Sequence, residues 1–135
     1  MVVSPIAILE DDPRRTEAFS NALRHFGPHF VCPTAPEFIR AIRDKLSTLR
    51  LISLDHDLLV PLVENPGTGL DVATFLSTQT PACPVIVHTT NRIGREGMLQ
   101  RLKDSGWKVD WVPPFGDLDW IEKAWMPLVR EMLGA

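Results

Sequence analysis

The order of hydrophobic and polar positions divides the chain into repeating pairs of elements. Short apolar runs alternate with amphipathic stretches along the 135 residues. That alternation is typical of βα units on a parallel sheet. The predicted strands are residues 6–9, 30–32, 51–54, 84–87 and 107–112.

A predicted helix follows each of the strands. The first begins after Pro13 and ends near Gly27, and the third opens with Thr68 and Asp71 in the manner of a capping box. The last is expected to kink at Pro127. The second and fourth are marked by apolar residues, Phe38, Ile39, Ile42 and Leu46 in one and Leu99 and Leu102 in the other. We therefore expect a three-layer α/β fold of flavodoxin-like (βα)5 type, with the parallel sheet in the order 2-1-3-4-5.

One connection in this pattern is unusually long. The segment from Asp55 to Gly67 exceeds the usual βα loop of about 2–6 residues, and its PLVENPGTG composition favours neither helix nor strand. Long loops beside a ligand site often act as lids. We expect residues 60–67 to close over a substrate.

Composition and charge narrow the class of protein. The chain is 44% hydrophobic and 23% charged, which is ordinary for a globular protein, and its length predicts a single domain over residues 1–135. The formal net charge of −3 provides no broad basic surface for nucleic acid. Any contact with a phosphate polymer is therefore expected to be local.

The chain shows no pattern typical of export or of a membrane. Its first residues lack a basic region before the apolar stretch, and no run approaches the ~20 apolar residues that span a bilayer. The two cysteines, Cys32 and Cys83, are too few for a disulfide scaffold or a zinc motif. We expect a cytoplasmic protein without a membrane partner.

Polar residues follow the first, third and fourth predicted strands. They are Glu10, Asp11 and Asp12, then Asp55, His56 and Asp57, then His88, Thr89, Thr90, Asn91 and Arg92. In the expected strand order these three strands are neighbours, and their carboxyl ends meet at one edge. Two carboxylates ~4 Å apart repel by ~4 kcal/mol at an effective dielectric near 20, so clustered acids need a proton or a cation. Oxygen ligands favour Mg²⁺ or Mn²⁺, although the histidines leave room for a transition metal.

The segment after the fourth strand is suited to binding an anion. The predicted helix begins near Asn91, and its free N–H groups attract negative charge. Arg92 and Arg95 lie in its first turn. A cation on one side and a helix terminus with arginines on the other would hold a phosphoryl group.

Structural roles compete with functional ones at several of these positions. Asp12 and Asn91 can simply cap helices, and His88 can be a buried histidine of the core. His56 points to the opposite face from its neighbours in an extended segment, so His56 and Asp57 need not enter the same pocket. Arg92 and Arg95 can be solvated surface charges. Asp55 has fewer structural explanations, because it ends a strand that is buried on both faces.

Together these residues resemble the receiver domain of bacterial response regulators, over nearly the whole chain. The shared pattern is an acidic pair after strand one, Asp55 closing strand three, PVIV-x-T at strand four and PF after strand five. The resemblance implies that Asp11, Asp12 and Asp55 hold Mg²⁺, that Asp55 accepts phosphate from a histidine kinase, and that Thr89 senses it. Receivers carry a lysine where this chain has Pro113.

A receiver-derived group resembles the chain more specifically. It shares SLDHDL, TG-x-DV at 68–72 and VH-T-x-N-x-x-G-x-x-x-M at 87–98, and it lacks the receiver lysine. That group is predicted to process cyclic phosphates at RNA termini. The resemblance implies a metal-dependent phosphoesterase, with Asp57 as a supporting ligand and His88 or His56 as general acid or base. The expected phosphate-binding residues are Thr89, Thr90, Asn91, Arg92 and Arg95.

Two other functions stay open from the sequence. The chain can be an atypical receiver in phosphorelay signalling, which would bind a protein partner through its last helix and fifth strand. It can also be a pseudo-receiver scaffold whose acid cluster holds no metal. The first hypothesis instead expects a phosphate-containing small molecule or an RNA end as the partner.

Overall fold

A five-stranded parallel sheet organises residues 4–135, the part of the chain that the computed structural model describes. The strands are β1 (Ile6–Leu9), β2 (His29–Cys32), β3 (Leu51–Leu54), β4 (Val85–Val87) and β5 (Val109–Trp111). Their order is β2-β1-β3-β4-β5, and all four neighbouring pairs are parallel. The predicted fold class and strand order are therefore confirmed, although β5 is shorter than expected.

Five α-helices connect or follow these strands. They are α1 (Pro13–Leu23), α2 (Ala35–Ile42), α3 (Gly69–Ser77), α4 (Arg92–Asp104) and α5 (Met126–Leu133). Asp12 caps α1 by accepting from the Arg14 N–H at 2.9 Å, and Pro13 occupies the first turn, where its missing N–H costs nothing. At the start of α3 the Thr68 N–H donates to the Asp71 carboxylate, as the capping-box pattern predicts. Leu46, predicted within the second helix, lies in a separate 3-10 turn at Leu46–Thr48.

The helices cover both faces of the sheet. Alternate strand residues belong to different cores, with Ala7 and Leu9 on one face and Ile6 and Ile8 on the other. The first face packs against side chains of α2, α3 and α4, among them Phe38, Leu76 and Leu102. The second packs against α1 and the C-terminal helical segment, through Phe19, Trp120, Trp125 and Val129. This is the predicted three-layer arrangement.

The last helical segment differs from the predicted kink. A π-helical turn at Ile121–Trp125 precedes α5, and the Met126 N–H donates to the carbonyl of Ile121, five residues back. Pro127 lies in the first turn of α5. Because proline has no N–H and its ring crowds the preceding turn, a widened turn just before it accommodates the ring. The irregularity thus comes before the proline.

The long connection after β3 is anchored at both of its ends. Asp57 and Thr68 form an isolated antiparallel bridge that closes its base. At its tip Leu62 adopts a left-handed conformation with φ of 67° and is fully exposed. Closure of residues 60–67 over a substrate stays a prediction. Within residues 4–135, no helix combines the length and apolar character needed to cross a membrane.

Candidate functional site

Side chains from three neighbouring strands meet at the carboxyl edge of the sheet. Glu10 follows β1, Asp55 follows β3 and His88 follows β4, and one ligand atom of each lies within 4.8 Å of the other two. All three residues are buried. They form the only cluster of this kind among residues 4–135. Asp55 and His88, which the sequence analysis named as candidate site residues, thus lie together, and the third member of this cluster is Glu10.

Glu10 is held as a carboxylate by several donors. Its Oε2 accepts the backbone N–H groups of Asp11 and Asp12, each at 3.1 Å. Its Oε1 lies 3.1 Å from Nε2 of His88. Burial acts to raise the pKa of Glu10, but the bonds from His88 and from the Asp12 N–H, with Arg15 nearby, lower it overall. A buried negative charge therefore lies beside Asp55.

The second carboxylate of the cluster, Asp55, has a strongly raised pKa. Burial, supported by the charge of Glu10, raises its pKa to about 6, and the charge of Arg15 and the hydrogen bond from the His56 N–H only partly oppose this. The His56 N–H donates to Oδ1 at 2.7 Å. Asp55 is therefore a carboxylate that a nearby cation would stabilise strongly.

Arg15 brings a positive charge to the two buried carboxylates. Its Nη1 lies 3.7 Å from Oε1 of Glu10 and 3.7 Å from Oδ2 of Asp55. The guanidinium also lies over the Trp120 ring, 5.5 Å from the centroid. Sequence reasoning missed Arg15. The signal that could have identified it is its place in the first turn of α1, directly above the carboxyl edge of β1.

His88 is enclosed by aromatic and polar side chains. Its Nδ1 lies 2.7 Å from the Ser53 hydroxyl, which also accepts a hydrogen bond from the Trp125 indole N–H at 2.9 Å. Phe19 packs edge-on against the imidazole at 5.2 Å, and Trp120 stacks on it at 5.8 Å. His88 is therefore a buried histidine that also lies in the acid cluster, and its role as general acid or base stays a prediction.

A second group of polar residues lies beside the first. Nδ1 of His56 is 2.8 Å from Oδ1 of Asp57, and this hydrogen bond is the main reason that the pKa of Asp57 is lowered. Asn91 donates from Nδ2 to Asp57 at 3.1 Å and accepts the Gly94 N–H at 2.9 Å, so it both caps α4 and holds Asp57. A Cβ on Gly94 would lie 2.5 Å from Cγ of His56. The imidazole therefore packs directly on the backbone of α4.

The predicted metal ligands other than Asp55 do not join the acid cluster. Asp12 caps α1, and Asp57 is held by His56 and Asn91. Asp11 accepts the Leu59 N–H at 2.8 Å, and burial raises its pKa. The reason is register: β1 ends at Leu9, so the first residue at the edge is Glu10. The cluster of Glu10, Asp55 and His88 thus shares Asp55 with the predicted ligand set of Asp11, Asp12, Asp55 and Asp57, and that set stays a prediction.

The predicted phosphate-binding residues lie in different surroundings. Thr89 is buried and accepts the Asn91 N–H at 3.1 Å, while Thr90 is exposed. Arg92 pairs with Glu96 at 3.2 Å on the exposed side of α4. The Arg95 guanidinium stacks on the Trp111 ring at 4.0 Å. Of the arginines, the one that contacts the acid cluster is Arg15.

The donor set fits a hard divalent cation. Two buried carboxylates lie together, and the raised pKa of Asp55 reflects the cost of charging it in this environment. Asp11 lies next to Glu10. Its Oδ2 accepts the Leu59 N–H, and its Oδ1 takes no part in that hydrogen bond. Carboxylate oxygens without thiolates are the donors that Mg²⁺ and Mn²⁺ prefer.

Comparison with solved structures identifies the fold independently. The structure is similar to a CheY-like receiver domain of Methanospirillum hungatei, with a TM-score of 0.69, 15% identity and 97% of each chain covered. A receiver domain of Rhodospirillum rubrum gives a TM-score of 0.69 and 20% identity, with 93% of this chain and 90% of that one covered. One of Clostridium thermocellum gives 0.69 and 13%, with 97% and 94% covered. At these identities the likeness establishes the fold.

Comparison of the sequence with family models is more specific. No curated protein sequence matches the chain. The model of the cyclic-phosphate processing receiver domain matches residues 6–104, a span that includes the acid cluster, the His56–Asp57–Asn91 group and Arg15. The chain belongs to the family of cyclic-phosphate processing receiver domains.

Proposed function

We propose that this protein is a metal-dependent phosphoesterase that opens a cyclic phosphate, such as the 2′,3′-cyclic end of an RNA. The observation that carries the proposal is the buried cluster of Glu10, Asp55 and His88 at the edge where ligands of parallel sheets bind. The family match supports the phosphate class. The raised pKa of Asp55 supports a site that is incomplete without a cation or an added proton.

Mg²⁺ or Mn²⁺ held by Asp55 and Glu10, with Asp11 beside them, would neutralise the phosphate charge and make a bound water more acidic. The protein supplies the remaining parts of the site. Arg15 would bind a phosphate oxygen, since its Nη1 lies 3.7 Å from an oxygen of each carboxylate and so brings a positive charge to the site. Asn91 and the N–H groups of the first turn of α4 would steady the other oxygens.

The His56–Asp57 pair is arranged for proton transfer. The Asp57 carboxylate accepts from Nδ1 of His56, which leaves the Nε2 lone pair of the ring available as a base. Asn91 fixes Asp57 in turn, and Gly94 allows the ring to lie against α4. Thr89, Thr90, Arg92 and Arg95 surround this end of the sheet and remain proposed phosphate contacts. The loop 60–67 remains a proposed lid.

Phosphorus NMR tests this function directly. Wild-type protein, stripped of metal and then supplied with Mg²⁺ or Mn²⁺, is expected to convert a nucleoside 2′,3′-cyclic phosphate into a monophosphate. Asp55→Asn should abolish the reaction, and Asp44→Asn, at an exposed acid in the turn after α2, should leave it unchanged. Absence of product from the wild type with both ions would refute the proposal.

A receiver-type function is the second candidate, and the position of Asp55 favours it. In the receiver fold this carboxylate ends β3 and would accept a phosphoryl group, with a protein partner as the reader of that state. Pro113, which is exposed, provides no ammonium to hold the transferred group. Incubation with acetyl phosphate followed by intact mass measurement separates the candidates, because only a phosphoacceptor gains a stable, Asp55-dependent phosphoryl mass.

A scaffold without metal is distinguished by calorimetry. If the acid cluster only supports a surface for a protein partner, titration with Mn²⁺ should give no binding heat, and Asp55→Asn should behave like the wild type. A metal-dependent esterase instead requires binding heat that Asp55→Asn removes.

A further inference from the structure

Four buried side chains form a continuous chain of hydrogen bonds that crosses the sheet. The Trp125 indole N–H reaches the Ser53 hydroxyl at 2.9 Å, and the hydroxyl reaches Nδ1 of His88 at 2.7 Å. Nε2 of His88 then reaches Glu10 at 3.1 Å. Trp125, Ser53 and His88 are completely enclosed. The chain therefore connects the helical layer to the acid cluster.

Ser53 determines which nitrogen of His88 carries the proton. An indole N–H can only donate, so the serine oxygen accepts from Trp125. Within residues 4–135, the hydroxyl proton then has one partner left, Nδ1 of His88. A buried hydroxyl without an acceptor is unfavourable, because it loses its hydrogen bonds to water and gains none. The serine therefore donates to Nδ1, and that nitrogen is unprotonated.

Glu10 leads to the same assignment from the other end of the ring. Its second oxygen accepts two backbone N–H groups, and Nη1 of Arg15 lies 3.7 Å from its first oxygen. A carboxylate oxygen 3.1 Å from Nε2 requires a donor there. In the opposite neutral tautomer, two lone pairs would face each other at Nε2, and the Ser53 hydroxyl would lose its acceptor.

We propose that Ser53 and Trp125 are positioning residues that hold His88 as a neutral imidazole protonated on Nε2, with Glu10 as its acceptor. A neutral ring in this state is a hydrogen-bond donor, comparable to other neutral histidines in active sites. It has no free Nε2 lone pair for a metal, and loss of its proton would leave an imidazolate. His88 therefore orients Glu10, and metal binding falls to the carboxylates.

The tautomer of His88 adds detail to the proposed function, and its meaning for the reaction rests on that function. In ring opening, water oxygen bonds to phosphorus, the bond to one ribose oxygen breaks, and one proton moves from the water to His56. The leaving oxygen takes a proton from solvent or from the protonated His56. His88 neither gains nor loses a proton in this sequence.

Long-range proton–nitrogen NMR of the metal-free, substrate-free protein tests the assignment. The four histidines give separate ring signals, and His88→Gln identifies those of His88. We expect an unprotonated Nδ1 and a protonated Nε2 at pH 8 in the wild type. A proton on Nδ1, in either the other tautomer or the doubly protonated ring, would overturn the proposal.

Two serine variants test the role of Ser53. Ser53→Ala should move the Nδ1 signal of His88, because that nitrogen loses its donor. Ser20→Ala is the matched control, since the Ser20 hydroxyl lies 2.9 Å from Nε2 of His29 and should move only the His29 signals. An unchanged His88 signal in folded Ser53→Ala would show that the hydroxyl does not hold the ring. If Ser53→Ala does not fold, the wild-type spectrum still decides the tautomer.

Calorimetry tests the consequence for metal binding. His88→Gln keeps an N–H that can donate to Glu10, so Mn²⁺ affinity should change less than twofold. A tenfold or larger loss would identify His88 as a ligand and overturn the assignment. Neither measurement depends on turnover, so failure of the proposed esterase activity and failure of this proposal are distinguishable.

Discussion

At the scale of single residues, the balance of charge in the acid cluster determines what the site can bind. Glu10 and Asp55 are both buried, and one positive side chain, Arg15, lies 3.7 Å from each. The pKa of Asp55 is raised to about 6 because burial disfavours its charge. The ionised side chain of Asp55 therefore destabilises the metal-free protein, although the proposed function needs this carboxylate.

Replacement of Asp55 with asparagine should stabilise the metal-free protein at neutral pH. An acid whose pKa is about 6 when folded and 3.8 when unfolded favours the folded state below pH 4, and this contribution is lost as the pH rises to about 6. Above that pH, the free energy of unfolding is therefore about 3 kcal/mol lower than it would be with Asp55 protonated in both states. Lost attraction to Arg15 reduces the gain, so we expect about 1–3 kcal/mol in urea unfolding at pH 7.5.

The pH dependence provides the control for that measurement. Between pH 4 and 6, wild-type stability should fall relative to Asp55→Asn as the pH rises, and the difference should level off above pH 6. Asp44→Asn, at an exposed acid, should follow the wild type. Destabilisation by Asp55→Asn throughout this range would show that Asp55 is held as a stable ion without metal.

The two histidines should differ in their contribution to turnover. His56, oriented by Asp57, is expected to transfer protons, a role that contributes about 10²–10⁴-fold. His88 should contribute as a donor that glutamine can partly replace. We therefore expect His56→Gln to lower kcat by about 100-fold or more and His88→Gln by clearly less. If His88→Gln instead lowers the initial rate more than His56→Gln does, His88 is the residue that transfers protons.

At the scale of elements, the start of α4 is built closely against the site. Gly94 lies in its first turn, where a Cβ would meet the His56 ring at 2.5 Å. Gly97, one turn later, would place a Cβ 3.8 Å from Leu70, an ordinary contact. A side chain at position 94 would therefore displace His56, whereas position 97 has room for an alanine.

This pair of glycines gives a matched test of the His56 position. Gly94→Ala should displace the imidazole and lower turnover by at least tenfold, whereas Gly97→Ala should leave kcat unchanged. Alanine at 97 should also stabilise α4 by up to about 1 kcal/mol through helix propensity. Thermal unfolding and initial rates check both, and equal activity of the two variants would show that His56 does not act where it lies.

Elements also show how much the sequence could predict. The strands were predictable because runs such as IAIL and LISL are buried on both faces, and the capped start of α3 was predictable from Thr68 and Asp71. The π-helical turn was not, since helical spacing of apolar residues does not reveal how a turn widens before Pro127.

The sequence predicted where the candidate site lies but not all of the residues that form it. Strand ends predicted that Asp55 and His88 converge. Glu10 was missed as a member because the acidic run EDD leaves the register of the strand end ambiguous by one residue. Arg15 and Ser53 were missed because their roles depend on tertiary neighbours: one resembles a helix surface residue and the other a strand residue.

At the scale of the whole molecule, a ligand that binds only the folded state should stabilise it. A divalent ion at the acid cluster adds about 2.7 kcal/mol when its free concentration is 100 times Kd. We expect Mn²⁺ to raise Tm of the wild type by several degrees and to have no such effect on Asp55→Asn. An equal rise in both proteins would place the bound ion elsewhere. Residence in the cytoplasm stays a prediction.

The most direct measurement is a crystal structure of the protein with Mn²⁺ and a nucleoside 2′-phosphate, one of the two possible products of ring opening. We expect an anomalous peak at the carboxylates of Glu10 and Asp55, with the phosphate between Arg15 and the first turn of α4 and without a bond from the ion to His88. Manganese bound away from these carboxylates, or phosphate at a different edge of the sheet, would contradict the proposed site.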